Sequence, residues 1–279
     1  MPRSALMPPP ATPQDHDSPL ATAICAQDRR TLAFVEQALE TGRVLLAFQP
    51  VVQAHDPGRV AFYEGLIRLL DDTGRVIPAR DFIETVETHE WGRIIDCLAL
   101  EQGLQALARE PSLRLSINMS ARSLGYPDWM ATLREGLSHD DTIAERLILE
   151  ITERSAMLMP DLVTRFMSDL HAQGVSFALD DFGAGQTTFR YLRDFHFDIL
   201  KIDGQFIRGI AGSADDQVLT AALISVAQHF DMFTVAESVE TQTDAQLLAQ
   251  MGIDCLQGYL FGAPSVHHDA RRNSAPRSA

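Results

Sequence analysis

Apolar segments of this sequence repeatedly end in, or carry, a side chain that could bind or serve a metal ion. The polar residues and their segments are Glu64 in AFYEGLIRL, Asn118 in SINMS, Glu150 in LILEITE, Asp180 and Asp181 in FALDDFG, Lys201 in ILKID, Glu237 in TVAES and Gln257 in CLQGY. A carboxylate or amide at the end of a buried strand is costly unless something binds it. In a (β/α)8 barrel all strand carboxyl ends open on one face, so these segments predict one shared site.

The order of strand-like and helix-like segments predicts an α/β domain. The expected strands span residues 45–50, 60–69, 113–119, 146–151, 175–180, 198–202, 233–237 and 254–257, and the expected helices span 31–42, 96–108, 161–173, 215–230 and 241–251. Only a short turn with Asp56, Pro57 and Gly58 separates the first two strands, which is too little for a parallel crossover. The predicted fold is therefore a modified TIM (β/α)8 barrel with one antiparallel strand near the N-terminus.

The composition changes at both ends of the chain. Six of the fourteen prolines fall within the first nineteen residues, which predicts a disordered Pro-rich extension over residues 1–24. A second polar stretch includes HHDARRNSAPRSA, and we expect a flexible tail over residues 265–279. The barrel domain is then expected over residues 25–264, a length that suits a TIM barrel.

The net charge of the chain restricts its partners. The 279 residues carry a formal net charge of -15 and give a pI of about 4.9. This charge disfavours broad contact with a nucleic-acid backbone, and a phosphate substrate would need local cations. No apolar run reaches the length of a membrane span, and the N-terminus lacks a signal-peptide pattern. We therefore expect a cytoplasmic protein that binds neither a nucleic acid polymer nor a membrane.

The adjacent carboxylates of Asp180 and Asp181 are the sharpest local signal of a metal site. At a strand end they could reach toward two cations held about 3.5–4 Å apart. Glu64, Asn118 and Glu150 add oxygen ligands of the kind that Mg²⁺ and Mn²⁺ prefer. The acidic pair could instead cap a helix, the Asn118 amide could form a turn, and Glu150 could be a surface carboxylate at a strand end. The recurrence of polar strand ends favours the metal site.

Lys201, Glu237 and Gln257 could act beside the cations. A lone ammonium at Lys201 would be costly to bury unless carboxylates lie nearby. Lys201 could orient or help to deprotonate water and stabilise developing charge, or it could be a salt-bridged structural lysine. Glu237, and Glu240 one turn later, could instead be charges at a helix N-terminus. Gln257 could hydrogen-bond to a water molecule of the site.

The same segments resemble the EAL-domain family of cyclic di-GMP phosphodiesterases from about Leu45 to Pro264. The matching motifs are FQP with Gln49, EGLIR from Glu64 to Arg68, INMSA, EITE, DDFGAG, KID, AESVE, and QGYLFG with Pro264. The resemblance implies two cations, Mg²⁺ or Mn²⁺, in one site. It assigns Glu64, Asn118, Glu150 and Asp180 to the first cation, and Asp181 and Glu237 to the second, with Asp180 bridging.

The resemblance also implies roles for the remaining residues. Lys201 would act on the nucleophilic water, Gln257 would support the water network, and Glu237 is an alternative general base. Four residues would contact the dinucleotide, namely Gln49, Leu66, Arg68 and Glu240. Glu153 would anchor the loop that follows Asp181. The implied reaction is metal-dependent hydrolysis of cyclic di-GMP to linear pGpG, in bacterial second-messenger signalling, by a homodimer formed around the Gln186 loop.

Several residues depart from the family pattern. Gly65 replaces the namesake alanine, Gln186 an aromatic residue, Thr187 and Thr188 serines, Gly204 an arginine, and Ser238 a glycine. An alternative is therefore a catalytically weak or inactive relative that serves as a cyclic di-GMP receptor or protein-interaction module. A second alternative is another metal-dependent barrel enzyme of the enolase type, but the sequence holds more oxygen ligands than one cation needs.

Overall fold

Eight strands close into a barrel in the computed structural model, which describes residues 19–183 and 192–266. The strands are β1 (Val44–Gln53), β2 (Val60–Leu70), β3 (Val76–Pro78), β4 (Leu115–Asn118), β5 (Leu147–Thr152), β6 (Ser176–Phe182), β7 (Ile199–Ile202), β8 (Phe233–Ala236) and β9 (Cys255–Gln257). All belong to the ring except β3, which pairs with the end of β2. The eight expected strands are confirmed, and β3 is an addition too short to be recognised from its hydrophobic pattern.

Among the ring strands, β1 runs opposite to the others. It pairs antiparallel with β2, where Gln49 lies opposite Glu64, and with β9, where Val51 lies opposite Gln257. The remaining ring pairs are parallel. The predicted reversed strand near the N-terminus is thus confirmed. Gln49, in the middle of β1, lies beside Glu64 of β2 and two residues from Val51, the position opposite Gln257 at the end of β9.

Helices surround the ring and cover the outer faces of the strands. They are α1 (Pro19–Glu40), α2 (Ile83–Val86), α3 (Glu90–Arg109), α4 (Pro127–Leu137), α5 (Glu153–Ala156), α6 (Pro160–His171), α7 (Gly204–Ile207), α8 (Ala214–His229) and α9 (Gln242–Met251). Outward-facing strand residues such as Leu115, Leu149 and Leu200 are buried in the core that these helices complete. Among the helices in the described ranges, none is both long and apolar enough to cross a membrane.

The structure corrects both expected domain boundaries. Helix α1 begins at Pro19, so the predicted disordered extension is wrong for residues 19–24. Proline fits the first turn of a helix, because its missing N–H group needs no partner there. The high proline content therefore suggests an extension without structure, although one of these prolines begins a helix. Ser265 is also ordered, because its backbone exchanges hydrogen bonds of 2.7 and 3.0 Å with Phe48 of β1. Residues 1–18 and 267–279, to which the rest of both predictions applies, lie outside the described residues.

Candidate active site

The site rests on an apolar layer inside the barrel. This layer consists of six side chains from six strands, namely Val51, Phe62, Ile148, Ala178, Ile199 and Val235. Residues two apart on a strand point to the same face. The polar residues that follow five of these apolar ones by two positions therefore form the next layer up; they are Glu64, Glu150, Asp180, Lys201 and Glu237.

Lys201 lies at the centre of this polar layer, fully buried. Its Nζ atom is 2.8 Å from Glu150 Oε2, 2.8 Å from Glu237 Oε1, 2.9 Å from Asp180 Oδ1 and 3.4 Å from Glu64 Oε2. Burial acts to lower the pKa of Lys201, but the surrounding carboxylates outweigh it and raise that pKa well above its ordinary value. The ammonium group therefore stays charged, and it is the only lysine in the sequence.

A break in the pairing of β6 brings the adjacent carboxylates of Asp180 and Asp181 to the same end of the barrel. This end, where the carboxyl ends of the parallel strands open, is called the mouth below. Neighbouring side chains on a regular strand would point to opposite faces. Here the pairing with β7 shifts register between Leu179 and Phe182, and Asp181 has a left-handed φ of 55°. As a result, carboxylate oxygens of Asp180, Asp181 and Glu237 all lie within 4.8 Å of one another. A left-handed aspartate is strained, and such strain is typical of functional sites.

Two amide side chains hold the Glu64 carboxylate from opposite ends. Asn118 Nδ2 donates to Glu64 Oε1 at 2.9 Å, and Gln257 Nε2 donates to Glu64 Oε2 at 2.5 Å. Gln257 Nε2 also lies 3.4 Å from Gln49 Oε1. Burial raises the pKa of Glu64, but the charge of Lys201 and these amide donors outweigh it, so the pKa is lowered. Glu64 is therefore ionised, with its lone pairs partly free for a cation.

The pKa values of the other carboxyls show a shortage of positive charge. Burial, followed by the charge of Glu64, raises the pKa of Glu150 well above its ordinary value. Burial also raises the pKa of Glu237 to about 8 and that of Asp181 to about 6, and the charge of Asp180 adds to both. A single ammonium group thus does not neutralise the cluster. Divalent cations would supply the remaining charge.

The arrangement of oxygen atoms fits metal ions. Two groups of carboxylates could each hold an ion, Glu64 with Glu150 and Asp180, and Asp180 with Asp181 and Glu237, so that Asp180 belongs to both. Glu150 Oε1 is buried and has no hydrogen-bond partner within the described structure. An unpaired carboxylate oxygen in such a place is costly unless a cation binds it. The donors in these groups are all oxygen atoms, which suits hard cations.

The residues expected to contact a dinucleotide lie at the edge of the mouth. Leu66 and Arg68 follow Glu64 on β2 at alternate positions and are half-buried. Arg68 Nη1 donates to the Ile67 carbonyl at 2.9 Å, and burial lowers the pKa of Arg68. On the opposite side Glu240 is exposed, with Oε1 4.0 Å from Arg208 Nε. The described residues therefore place both polar and apolar groups at the edge of the carboxylate cluster.

Glu153 is buried at the start of α5, one residue after the end of β5. The loop that it was expected to anchor, with Gln186, Thr187 and Thr188, falls in residues 184–191, outside the described residues. The anchoring role therefore stays a prediction. The homodimer expected around the same loop also stays a prediction.

A group of polar residues behind the mouth escaped the sequence analysis. Asp96 of α3 accepts hydrogen bonds from the Ser120 backbone and from the Ser123 hydroxyl, next to Asn118. The signal was present, because Asp96 is a lone carboxylate in the otherwise apolar run IIDCLAL. Its helical position gave no indication that it turns toward a strand-end loop.

The sequence of residues 33–264 matches the EAL domain family. The chain belongs to this family. Cyclic di-GMP phosphodiesterase PdeF of Escherichia coli is 30% identical over 248 residues, which cover 87% of this chain and 32% of PdeF. The chain spans about a third of the length of the curated relatives that it matches first.

Solved structures of other EAL domains share the fold. The PaMucR phosphodiesterase in complex with c-di-GMP superposes with a TM-score of 0.77 at 28% identity, over 85% of this chain and 97% of that one. Klebsiella pneumoniae BlrP1, in a calcium and cyclic di-GMP complex, gives a TM-score of 0.69 at 27% identity, over 80% of this chain and 56% of BlrP1. These likenesses place the ring and its reversed strand in the architecture of EAL domains.

Three departures from the EAL pattern lie within the described residues, and each has a packing partner. Gly65 faces Ile117, where a Cβ atom would lie 2.6 Å from Ile117 Cδ1. Gly204 faces Ser238, the residue that replaces a glycine and adopts a left-handed φ of 58°. None of these changes removes a carboxylate or amide from the mouth of this EAL domain.

Proposed function

We propose that this EAL domain hydrolyses one phosphodiester bond of cyclic di-GMP to give linear pGpG, with Mg²⁺ or Mn²⁺ as cofactor. The observation that carries the proposal is the pair of carboxylate groups that share Asp180 around the buried ammonium of Lys201. Two cations held in this way would stabilise the attacking and leaving oxygens of an in-line displacement. Relatives named as cyclic di-GMP phosphodiesterases and the PaMucR complex support the choice of substrate.

The cations would be held by the residues of the two groups. Glu64, Asn118, Glu150 and Asp180 would bind the first one. Asp180, Asp181 and Glu237 would bind the second. Because Asn118 donates its amide N–H to Glu64, its amide oxygen remains for the first cation.

Within this site Lys201 would orient the attacking water and stabilise developing negative charge. An ammonium group with a raised pKa donates hydrogen bonds but cannot accept a proton. Proton acceptance would therefore fall to a carboxylate. Glu237, which contacts Lys201, is the candidate for this role as an alternative to binding the second cation. Gln257, whose Oε1 is buried without a hydrogen-bond partner within the described structure, would support the water network.

Substrate contacts would come from the edge of the mouth. The Arg68 guanidinium suits a phosphate or a guanine edge, to which it can donate two parallel hydrogen bonds. Leu66 would contact the apolar face of the dinucleotide. Gln49 and Glu240 would hydrogen-bond with its polar groups, from β1 and from the turn after β8.

The test is a hydrolysis assay of the purified chain with cyclic di-GMP and either Mg²⁺ or Mn²⁺, followed by chromatography of pGpG. We expect metal-dependent product from the unchanged chain and none from Glu64→Ala. Glu135→Ala, which removes an exposed carboxylate on α4, is the matched control and should keep activity. Tight binding of cyclic di-GMP with no product would overturn hydrolysis and favour the receptor alternative. A single bound metal would favour the enolase-type alternative.

The homodimer is proposed on the resemblance alone, and sedimentation equilibrium at micromolar concentrations tests it. Only monomer across that range would contradict it. The expected cytoplasmic location likewise stays a prediction.

A further inference from the structure

Asp96 of α3 makes two hydrogen bonds to the turn that follows β4. Its Oδ2 atom accepts from the Ser120 backbone N–H at 2.9 Å and from Ser123 Oγ at 2.6 Å. The Ser123 side chain is fully buried, and Asp96 is partly buried. Loss of surrounding water raises the pKa of Asp96 to about 6. Removal of the Asp96 carboxylate from water is unfavourable. Its position therefore indicates that the backbone and hydroxyl donors of the turn need a hydrogen-bond acceptor.

Asn118 is the last residue of β4 and precedes Ser120 by two positions. The Asn118 side chain is constrained by the hydrogen bond that its Nδ2 donates to Glu64, and the Met119 N–H donates to the Glu150 carbonyl at 2.9 Å. The backbone from Asn118 to Ser120 is therefore held on the β5 side by Glu150 and on the α3 side by Asp96. A shift of Ser120 would be transmitted to Asn118 through two peptide units.

A second contact ties this turn to the segment after β5. The Ala121 backbone N–H donates to Ser155 Oγ at 2.7 Å, and Ser155 N–H donates to Thr152 Oγ1 at 3.2 Å. Thr152 lies two residues beyond Glu150 on the same strand. The turn after β4 and the turn after β5 thus form one hydrogen-bonded unit, and Asp96 connects that unit to helix α3.

We propose that Asp96 is a positioning residue for Asn118, and that it acts by fixing the turn that places the Asn118 amide oxygen for a cation. The inference rests on the proposed metal site. Asp96 itself contacts neither the carboxylate cluster nor the mouth, so its effect passes through Ser120 and Ser123. Outer residues that orient metal ligands have comparable effects in other metal sites.

The geometry of the two hydrogen bonds allows substitutions to distinguish the effect of these bonds on Asn118 from the effect of the negative charge of Asp96. Both end on the same oxygen, Oδ2. Asparagine carries one acceptor oxygen in the same place and can keep both bonds, whereas alanine keeps neither. If Asp96 acts by position, Asp96→Asn should behave like the unchanged chain. If it acts by its negative charge, the asparagine variant should fail like the alanine variant.

The experiment measures Mn²⁺ affinity by isothermal titration calorimetry, without substrate. We expect Asp96→Ala to weaken binding about tenfold and Asp96→Asn to bind within about twofold of the unchanged chain, since the two bonds persist. In the Asn118→Ala background, Asp96→Ala should cause little further loss, because the ligand that it positions is gone. Glu101→Ala, an exposed carboxylate on the same helix, should leave the affinity unchanged.

Three results would overturn the proposal: unchanged affinity in Asp96→Ala, equal weakening by alanine and asparagine, or the full tenfold loss in the Asn118→Ala background. Circular dichroism checks that each variant is folded. If Asp96→Ala does not fold, Ser123→Ala removes one donor and should weaken binding by a smaller factor, and unchanged affinity there would also contradict the proposal. Failure of the unchanged chain to bind Mn²⁺ would instead refute the proposed function.

Discussion

Gly204 and Ser238 pack so closely that there is no space for a side chain on Gly204. A Cβ atom added to Gly204 would lie 2.5 Å from Ser238 Oγ and 2.7 Å from Ser238 Cβ. Ser238 directly follows Glu237 and has a left-handed φ of 58°. Its hydroxyl accepts a hydrogen bond from Arg208 Nη2 at 2.9 Å. The two family departures are therefore complementary, and they connect the segment after β7 to the turn that carries Glu237.

Gly204→Ala is expected to destabilise the protein by about 1–3 kcal/mol, as overpacking usually does. Adding Ser238→Gly should restore most of that loss, because it removes both atoms that a new Cβ would meet. Ser238→Gly alone should be nearly neutral, since relief of the left-handed backbone offsets the lost hydrogen bond and the added chain freedom. Urea unfolding of the two single variants and the double variant measures the coupling. Additive free energies would show that the two residues do not share this space.

Lys201 can be observed selectively, because it is the only lysine in the sequence. Lysine labelled with ¹³C and ¹⁵N should therefore give one set of side-chain resonances, and these report on the centre of the site. The carboxylates raise the pKa of Lys201 well above its ordinary value, so its Cε shift should not titrate up to pH 10. Addition of Mg²⁺ should move the resonance as cations draw the carboxylates away from the ammonium. A titration midpoint below pH 10 would contradict the described contacts.

Much of the site could be predicted because its residues interrupt apolar strands at one end, and a barrel gathers those ends. Glu150, Asp180 and Lys201 are examples, since the apolar residues beside them in the sequence indicate that they are buried. The left-handed backbone at Asp181 and the contact of Asp96 with the turn after β4 could not be predicted in the same way. The first depends on a register shift between two strands, and the second on a contact between a helix and a turn 24 positions away. Neither leaves a periodic pattern in the sequence.

Asp96 should make the stability of the protein depend on pH. Its pKa rises from an ordinary 3.8 to about 6 in the folded protein, first through burial. Between these values the folded state binds more protons than the unfolded state, so the contribution of Asp96 to stability falls as pH rises from about 4 to about 6. Asp96→Asn removes this contribution but keeps both hydrogen bonds. The variant should therefore gain stability relative to the unchanged chain over that range and stay level above it. Urea unfolding at pH 4, 5, 6 and 7 measures the difference, and a constant difference would contradict the prediction.

Gly65 shows how the chain accommodates the loss of the alanine that gives the family its name. A Cβ atom at Gly65 would lie 2.6 Å from Ile117 Cδ1 and 3.2 Å from the Ser116 carbonyl oxygen, and Gly103 of α3 packs against the same Ile117. A side chain at position 65 would point away from the mouth, because the neighbouring Glu64 side chain points into it. The isoleucine methyl group thus fills the volume that an alanine side chain would need.

Gly65→Ala should therefore destabilise the protein by about 1–3 kcal/mol, with little change in Mn²⁺ affinity because Glu64 keeps its orientation. Ile117→Val removes the crowding methyl group and should cost about 0.5–1.5 kcal/mol alone. Combined, the two changes should cost clearly less than their sum, since the new methyl group occupies the vacated volume. Guanidinium unfolding of the three variants tests the coupling, and Leu133→Val, a buried change on α4, is the control that should add to Gly65→Ala without coupling. A loss of metal affinity in Gly65→Ala that Ile117→Val does not reverse would show that the alanine acts on Glu64 directly rather than through packing.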